Sequence, residues 1–142
     1  MGLLEIASGN SFWRGYEYYK AGNVLNCNKL EEFVYKGTVA GNANIPYEVT
    51  IDISHPKKSI CNCPHAEGTR RICKHKVALY FSVFPEEADK ALKEAQNWEA
   101  EQERREQEEY KEIEQYVKSL SKQELREQLL WRMIDERNRR RW

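Results

Sequence analysis

Three cysteines and one histidine lie within fifteen residues of this 142-residue chain, in the pairs Cys61-Asn62-Cys63 and Cys73-Lys74-His75. Thiolate and imidazole groups are preferred zinc ligands, and a structural zinc site takes four of them in a tetrahedron. The alternative is a set of reduced core cysteines beside a surface histidine, but three of the chain's four cysteines fall within thirteen residues. The spacing therefore predicts a zinc site. Because the four side chains fill every position, we expect the ion to stabilise the fold.

The order Cys-x-Cys, a variable gap and Cys-x-His resembles the SWIM zinc finger, in which the first pair ends a strand and the second opens a helix. The segment Tyr47 to Ile53, followed by Ser59 to Cys61, is similar to the strand and hairpin before that finger. Cys73 to Tyr80 is similar to its helix, and Phe12 to Val24 is like the aromatic helix and turn that precede such fingers in prokaryotic proteins. The resemblance covers about residues 10–85 and implies a small prokaryotic-type SWIM domain.

The nine-residue gap between the two pairs contains a second histidine, His65, so the fourth ligand has to be chosen. Neighbouring positions in the first turn of a helix can bring Cys73 and His75 to one ion, and the SWIM pattern has its histidine at His75. His65 lies in a loop, where it is either exposed or a hydrogen-bond partner of a ligand. The predicted ligands are Cys61, Cys63, Cys73 and His75.

The rest of the sequence predicts an α+β fold in two parts. Three segments rich in strand-forming residues predict a small antiparallel sheet, namely Val24 to Leu30, Phe33 to Ala40 and Pro46 to Ile53. Ser11 and Gly22 are expected to begin and end an N-terminal helix. After Pro85 there is no glycine or proline, and the composition favours helix. We expect a zinc-stapled SWIM-type domain at 1–85 and an extended charged helical arm at 86–142 that ends in an amphipathic helix.

Composition and motifs exclude several classes of protein. The chain is 40% hydrophobic and 32% charged, and no apolar run approaches the roughly 18 residues that a membrane span needs. The N-terminus lacks the pattern of a signal peptide, and thiols held by metal fit a reducing compartment. We expect an intracellular protein, in the cytoplasm, nucleoid or nucleus, without a membrane partner. Without a phosphate-binding glycine loop, an acidic metal cluster or a Ser/His/Asp set, an enzyme or a small-molecule substrate is not expected.

Basic residues surround the predicted zinc ligands, and the segment 57–76 has a net charge of +5. They are Lys57, Lys58, Arg70, Arg71, Lys74 and Lys76. A basic patch of this kind predicts contacts with phosphates. The competing explanation is local, because zinc bound by three thiolates and a neutral imidazole carries a charge of −1. One or two of these cations could only balance that charge.

Two functions follow from this surface. The first is a non-catalytic accessory protein that binds nucleic acid, with DNA as the expected target and little sequence specificity. The resemblance implies DNA-binding or protein-interaction modules, which occur in chromatin-remodelling ATPases, transposases, recombination mediators and some ubiquitin ligases. The alternative is an adaptor whose helical arm docks on a larger helicase, transposition or recombination partner. Basic residues on one shared face favour nucleic acid, whereas scattered ones favour the adaptor. The aromatic residues of the first helix are expected to fill the core and not to stack on bases.

Overall fold

The computed structural model describes residues 2–141 and has the α+β architecture that the sequence predicts. Two helices come first, α1 (Leu3–Ile6) and α2 (Gly9–Lys20). The strands are β1 (Val24–Glu31), β2 (Val34–Val39), β3 (Tyr47–Asp52) and β4 (Ile60–Cys61). The chain then forms α3 (Lys74–Val83), α4 (Pro85–Ser119) and α5 (Lys122–Arg140).

The four strands form one antiparallel sheet in the order β1-β2-β3-β4. Successive side chains of a strand point to opposite faces, so residues two apart share a face. Val49 and Ile51 of β3 are fully buried, while Glu48 is exposed. β4 pairs with β3 so that Cys61 lies opposite Val49. The pairing therefore holds Cys61 at the buried face of the sheet.

Helices α2 and α3 pack closely together on the core. A Cβ atom at Gly15 would lie 2.5 Å from the side chain of Val77, so the contact requires glycine. The rings of Phe12, Tyr16 and Tyr19 surround Phe81, with centroid distances of 5.6, 5.9 and 6.1 Å. Phe12, Tyr16 and Tyr19 of α2 thus fill the core, as the sequence analysis predicts, whereas Trp13 is exposed.

The ends of α2 differ partly from the prediction. The N-cap is Ser8 and not Ser11, because the Ser8 hydroxyl accepts a hydrogen bond from the backbone N–H of Ser11 at 3.1 Å. Ser11 therefore lies inside the first turn. Gly22 has φ +78° just after the helix, which confirms its predicted role as the terminating residue.

The chain divides into two compact units between Lys93 and Glu94, inside α4. The second unit contains the rest of α4 and α5, and we call its residues 94–141 the distal arm. Ser121 and Glu124 form a capping box at the start of α5. That residues 86–142 form a separable arm remains a prediction. Within residues 2–141, no helix is both long enough and apolar enough to cross a bilayer.

Candidate metal centre and its surroundings

Cys61 and Cys63 lie where β4 ends and the chain leaves the sheet. Between them, the side-chain oxygen of Asn62 accepts a hydrogen bond from the backbone N–H of Glu48 at 2.9 Å. The N–H of Asn62 donates to the Glu48 carbonyl at 3.3 Å. These bonds extend the strand pairing past Cys61, so the two cysteines, which are two residues apart, face the same side.

The segment between the two ligand pairs turns back on itself. The carbonyl of Cys63 accepts a hydrogen bond from the N–H of Ala66 at 3.2 Å, which closes a turn. Gly68 has φ +73°, a conformation that glycine adopts without strain. Cys73 then precedes α3 as its N-cap, and His75 lies in the first turn. The loop and the start of α3 thus bring Cys73 and His75 next to Cys61 and Cys63.

The four predicted ligands meet in one buried cluster. The sulfur atoms of Cys61, Cys63 and Cys73 and a ring nitrogen of His75 all lie within 4.8 Å of one another. A tetrahedral ion with zinc–sulfur bonds of about 2.3 Å holds its sulfur ligands about 3.8 Å apart. The cluster therefore needs little adjustment to hold zinc.

Only one nitrogen of the buried His75 imidazole has a partner, and that partner is a cysteine of the cluster. Its Nδ1 atom is 3.8 Å from the sulfur of Cys61, and Nε2 is buried without a hydrogen-bond partner among the described residues. Buried polar groups are almost always hydrogen-bonded in proteins, unless they bind an ion. The arrangement fits a metal ligand better than a hydrogen-bonded core histidine.

The thiols of Cys61 and Cys73 lie side by side, and each changes the pKa of the other. The contact with Cys61 lowers the pKa of Cys73. The same contact, together with burial, raises the pKa of Cys61. Zinc binds thiolates, so its binding displaces a proton from Cys61. The four side chains therefore form a site that a divalent cation can occupy.

Residues 47–84 match the family model of the SWIM zinc finger. This range contains all four clustered residues, together with β3, β4 and α3. The chain carries a SWIM zinc finger. Comparison with curated proteins and with solved structures gave no match. The resemblance inferred from the sequence is thus confirmed for this segment, and the Cys₃His cluster fits zinc as its cofactor.

A buried cation, Lys76, lies beside the cysteines of the SWIM finger. Its side chain is fully buried, and its ammonium group donates a hydrogen bond to the carbonyl of Arg71 at 2.6 Å. The pKa of the Lys76 amine is lowered, because the effect of burial exceeds that of the charges of Cys73, Cys61 and Cys63, which raise it. Lys76 therefore balances the negative charge of the cluster. The structure contradicts the predicted phosphate contact of Lys76, because the side chain does not reach solvent.

The other five basic residues of the prediction line three adjoining depressions. The first is lined by Ile6, His55, Lys57, Lys58 and Arg70. The second is lined by Ile6, Ser8, Ser11, His65 and Arg71. The third borders the metal centre and is lined by Ser8, Asn10, Ser11, Arg14, His65 and Lys74 together with the ligands Cys63, Cys73 and His75. We call these three depressions together the basic surface. Ile6 joins the first depression to the second, and Ser8, Ser11 and His65 join the second to the third.

Local structure fixes the first end of the basic surface. After β3, a carboxylate oxygen of Asp52 accepts a hydrogen bond from the N–H of His55 at 2.9 Å. Pro56 is buried and begins a short 3₁₀ helix, Pro56–Lys58, so Lys57 and Lys58 project from an anchored turn. At the other end, the ammonium group of Lys74 lies 4.7 Å from the ring centroid of Tyr18.

Sequence reasoning missed one member of this surface. Arg14 is exposed on α2 and lines the third depression with Lys74, although the two are far apart in the sequence. Its position among the aromatic residues of α2 was the only signal available. His65 is exposed and lies outside the ligand cluster, and Cys27, whose pKa burial raises, is half-buried away from it.

Proposed function

We propose that this protein is a non-catalytic accessory protein that binds nucleic acid through the basic surface of its SWIM finger. The observation that carries the proposal is the continuity of the three depressions, which places Lys57, Lys58, Arg70, Arg71, Lys74 and Arg14 along one path. A shared path, in contrast to scattered cations, is what a phosphate backbone requires.

No carboxylate neutralises the charges on this path. None of the described residues that line the three depressions is aspartate or glutamate, and the thiols of Cys63 and Cys73 in the third belong to the metal cluster. Lys76 is the cation that balances the metal cluster, so the exposed cations stay free to attract phosphates. Exposed lysine and arginine side chains contact phosphate oxygens without reading bases. Binding through this surface is therefore electrostatic and depends strongly on salt.

The finger's helix does not resemble a base-reading helix. Six residues of α3 are buried, namely His75, Lys76, Val77, Ala78, Leu79 and Phe81. A recognition helix enters the major groove and presents several side chains to base edges. A helix that is mostly enclosed by its own domain cannot do this. We therefore expect weak sequence specificity, with DNA as the natural target.

The adaptor function is the second candidate, and one observation favours it. Large apolar side chains along the distal arm are exposed, including Tyr110 at 68% and Trp131 at 70%. Exposed apolar surface of this extent is typical of regions that contact another protein. On this proposal a helicase, transposition or recombination enzyme would cover the arm, while the finger only stabilises the fold.

Direct binding to labelled nucleic acids tests the proposal. Fluorescence anisotropy measures binding to single-stranded DNA, duplex DNA and single-stranded RNA. The salt concentration is about 50 mM, because low salt favours phosphate contacts. We expect measurable binding with similar affinity for unrelated sequences. No binding to any of the three would overturn the proposal and leave the adaptor function.

A further inference from the structure

The imidazole of His75 packs against two tyrosine rings. Its ring centroid lies 4.7 Å from that of Tyr47 and 5.6 Å from that of Tyr18. Tyr47 begins β3, and Tyr18 lies near the end of α2. The side chain of His75 is itself buried. Side chains in close-packed surroundings keep a defined orientation, so the two nitrogens of this ring have distinct environments.

The first nitrogen, Nδ1, faces the cysteines of the metal cluster. It lies 3.8 Å from the sulfur of Cys61. Tetrahedral zinc has bonds of about 2.3 Å to sulfur and about 2.0 Å to nitrogen, which holds a bound sulfur and a bound nitrogen about 3.5 Å apart. A small shift therefore lets Nδ1 and the sulfur of Cys61 bind the same ion.

The second nitrogen, Nε2, faces the segment between β2 and β3. A Cβ atom at Gly41, in that segment, would lie 3.1 Å from Nε2. Nε2 is buried, and no described residue forms a hydrogen bond with it. The contact between His75 and a cysteine sulfur is made by Nδ1 alone. Nε2 is thus turned towards Gly41 and not towards the thiols.

We propose that His75 binds the zinc ion through Nδ1 and keeps its hydrogen on Nε2. A neutral imidazole carries one hydrogen, and only the nitrogen without it can bind a metal. Because Nδ1 faces Cys61, the hydrogen belongs on Nε2, beside Gly41. The proposal specifies the binding atom and the tautomer, and it does not depend on the proposed contact with nucleic acid.

The short spacing of the second ligand pair agrees with Nδ1. Cys73 is the N-cap of α3, and His75 lies in the first turn of the same helix. Nδ1 is two bonds from the Cβ atom of its residue, whereas Nε2 is three bonds away. Binding through Nε2 would require the buried ring to turn, which moves its edges against Tyr47 and Tyr18. The orientation that the structure shows needs no such movement.

Long-range proton–nitrogen NMR correlation of the zinc-loaded full chain tests the proposal. In such spectra Nε2 correlates with both carbon-bound ring protons and Nδ1 strongly with one, so the two nitrogens are distinguished. The chain has 3 histidines, and the variants His55→Gln and His65→Ala identify the signals of the other two. We expect a protonated Nε2 and a metal-bound Nδ1 in His75.

The outcomes separate this proposal from the ligand assignment. A zinc-bound Nε2 with the hydrogen on Nδ1 would overturn the proposal and leave His75 as a ligand. Nitrogen shifts of His75 that are the same in the zinc-loaded and the chelator-treated chain would overturn both.

The hydrogen on Nε2 provides a second measurement. Because it is buried, it exchanges slowly with water, and its proton signal should be observed directly. Gly41→Ala places a methyl group next to Nε2 and should shift this signal in the zinc-loaded protein. Gly2→Ala is the control and should leave the signal unchanged, because no atom lies within 4 Å of the added Cβ. An unchanged signal in the Gly41→Ala variant, or an equal shift in both variants, would contradict the placement of Nε2 beside Gly41.

Discussion

The ammonium group of Lys76 donates a hydrogen bond to the backbone carbonyl of Arg71 at 2.6 Å. This bond ties the first turn of α3 to the end of the loop between the ligand pairs. It also fixes a positive charge beside three cysteines whose complex with zinc is negative. One buried side chain therefore both positions the loop and balances the metal centre.

Replacing Lys76 with Met should lower the affinity for zinc. The change leaves the Arg71 carbonyl without a donor and the cluster without its counter-charge. Changes at groups that support metal ligands lower affinity by about 10- to 100-fold. Competition with a chromogenic chelator measures the effect. Lys74→Met is the matched control, because Lys74 is only partly buried and its ammonium group lies over Tyr18. Equal affinity of the Lys76→Met variant and the wild type would contradict the role of Lys76.

Replacing Cys73 with Ser should remove tight zinc binding and unfold the finger, because binding of a structural zinc ion is part of the folding free energy. Elemental analysis and thermal unfolding measure both effects. His65→Ala should keep zinc and melting temperature, since His65 is exposed outside the cluster. Stoichiometric zinc in the Cys73→Ser variant, or its loss from His65→Ala, would refute the ligand assignment.

Gly41→Ala should destabilise the region around His75. A Cβ atom at this position would lie 2.5 Å from a ring carbon of Tyr47 and 3.1 Å from Nε2 of His75. Insertion of a methyl group into packed surroundings costs about 1–3 kcal/mol. Urea unfolding measures the change. Gly2→Ala is the control, because no atom lies within 4 Å of the added Cβ. Equal stability of the two variants would show that Tyr47 and His75 move aside freely.

The metal cluster and the sheet could be predicted from the sequence. The three cysteines and His75 are close in sequence, and their spacing together with the SWIM pattern predicts that they meet. The alternation of strand residues depends only on local order. Burial of Lys76 was not predictable, because it depends on which side of α3 faces the loop. Arg14 reaches the basic surface only through the packing of α2 on α3. Ser8 and Ser11 are both good N-caps, so local sequence did not distinguish them.

Limited proteolysis should cut the arm before the finger domain. The stretch 99–109 is helical and mostly exposed, and exposed helix with few tertiary contacts opens easily. Mass spectrometry should locate the first cuts between Trp98 and Tyr110. First cuts inside residues 10–85 would contradict the predicted separability of the arm.

The salt dependence of nucleic-acid binding tests the central claim, that the basic surface contacts phosphates. Arg70 and Arg71 are exposed residues of this surface, and neither belongs to the metal cluster. Each lost phosphate contact reduces the slope of log affinity against log salt by roughly 0.7 to 0.9. Replacing both arginines with Ala should therefore weaken binding and reduce the slope by about 1.4 to 1.8, with zinc content unchanged.

The matched control replaces Lys90 and Lys93 with Ala, which removes two exposed charges from α4. The account predicts that the slope of this control equals that of the wild type, while the Arg70/Arg71 variant has the smaller slope. An Arg70/Arg71 variant with the wild-type slope, or a control whose slope falls by the same amount, would contradict the claim.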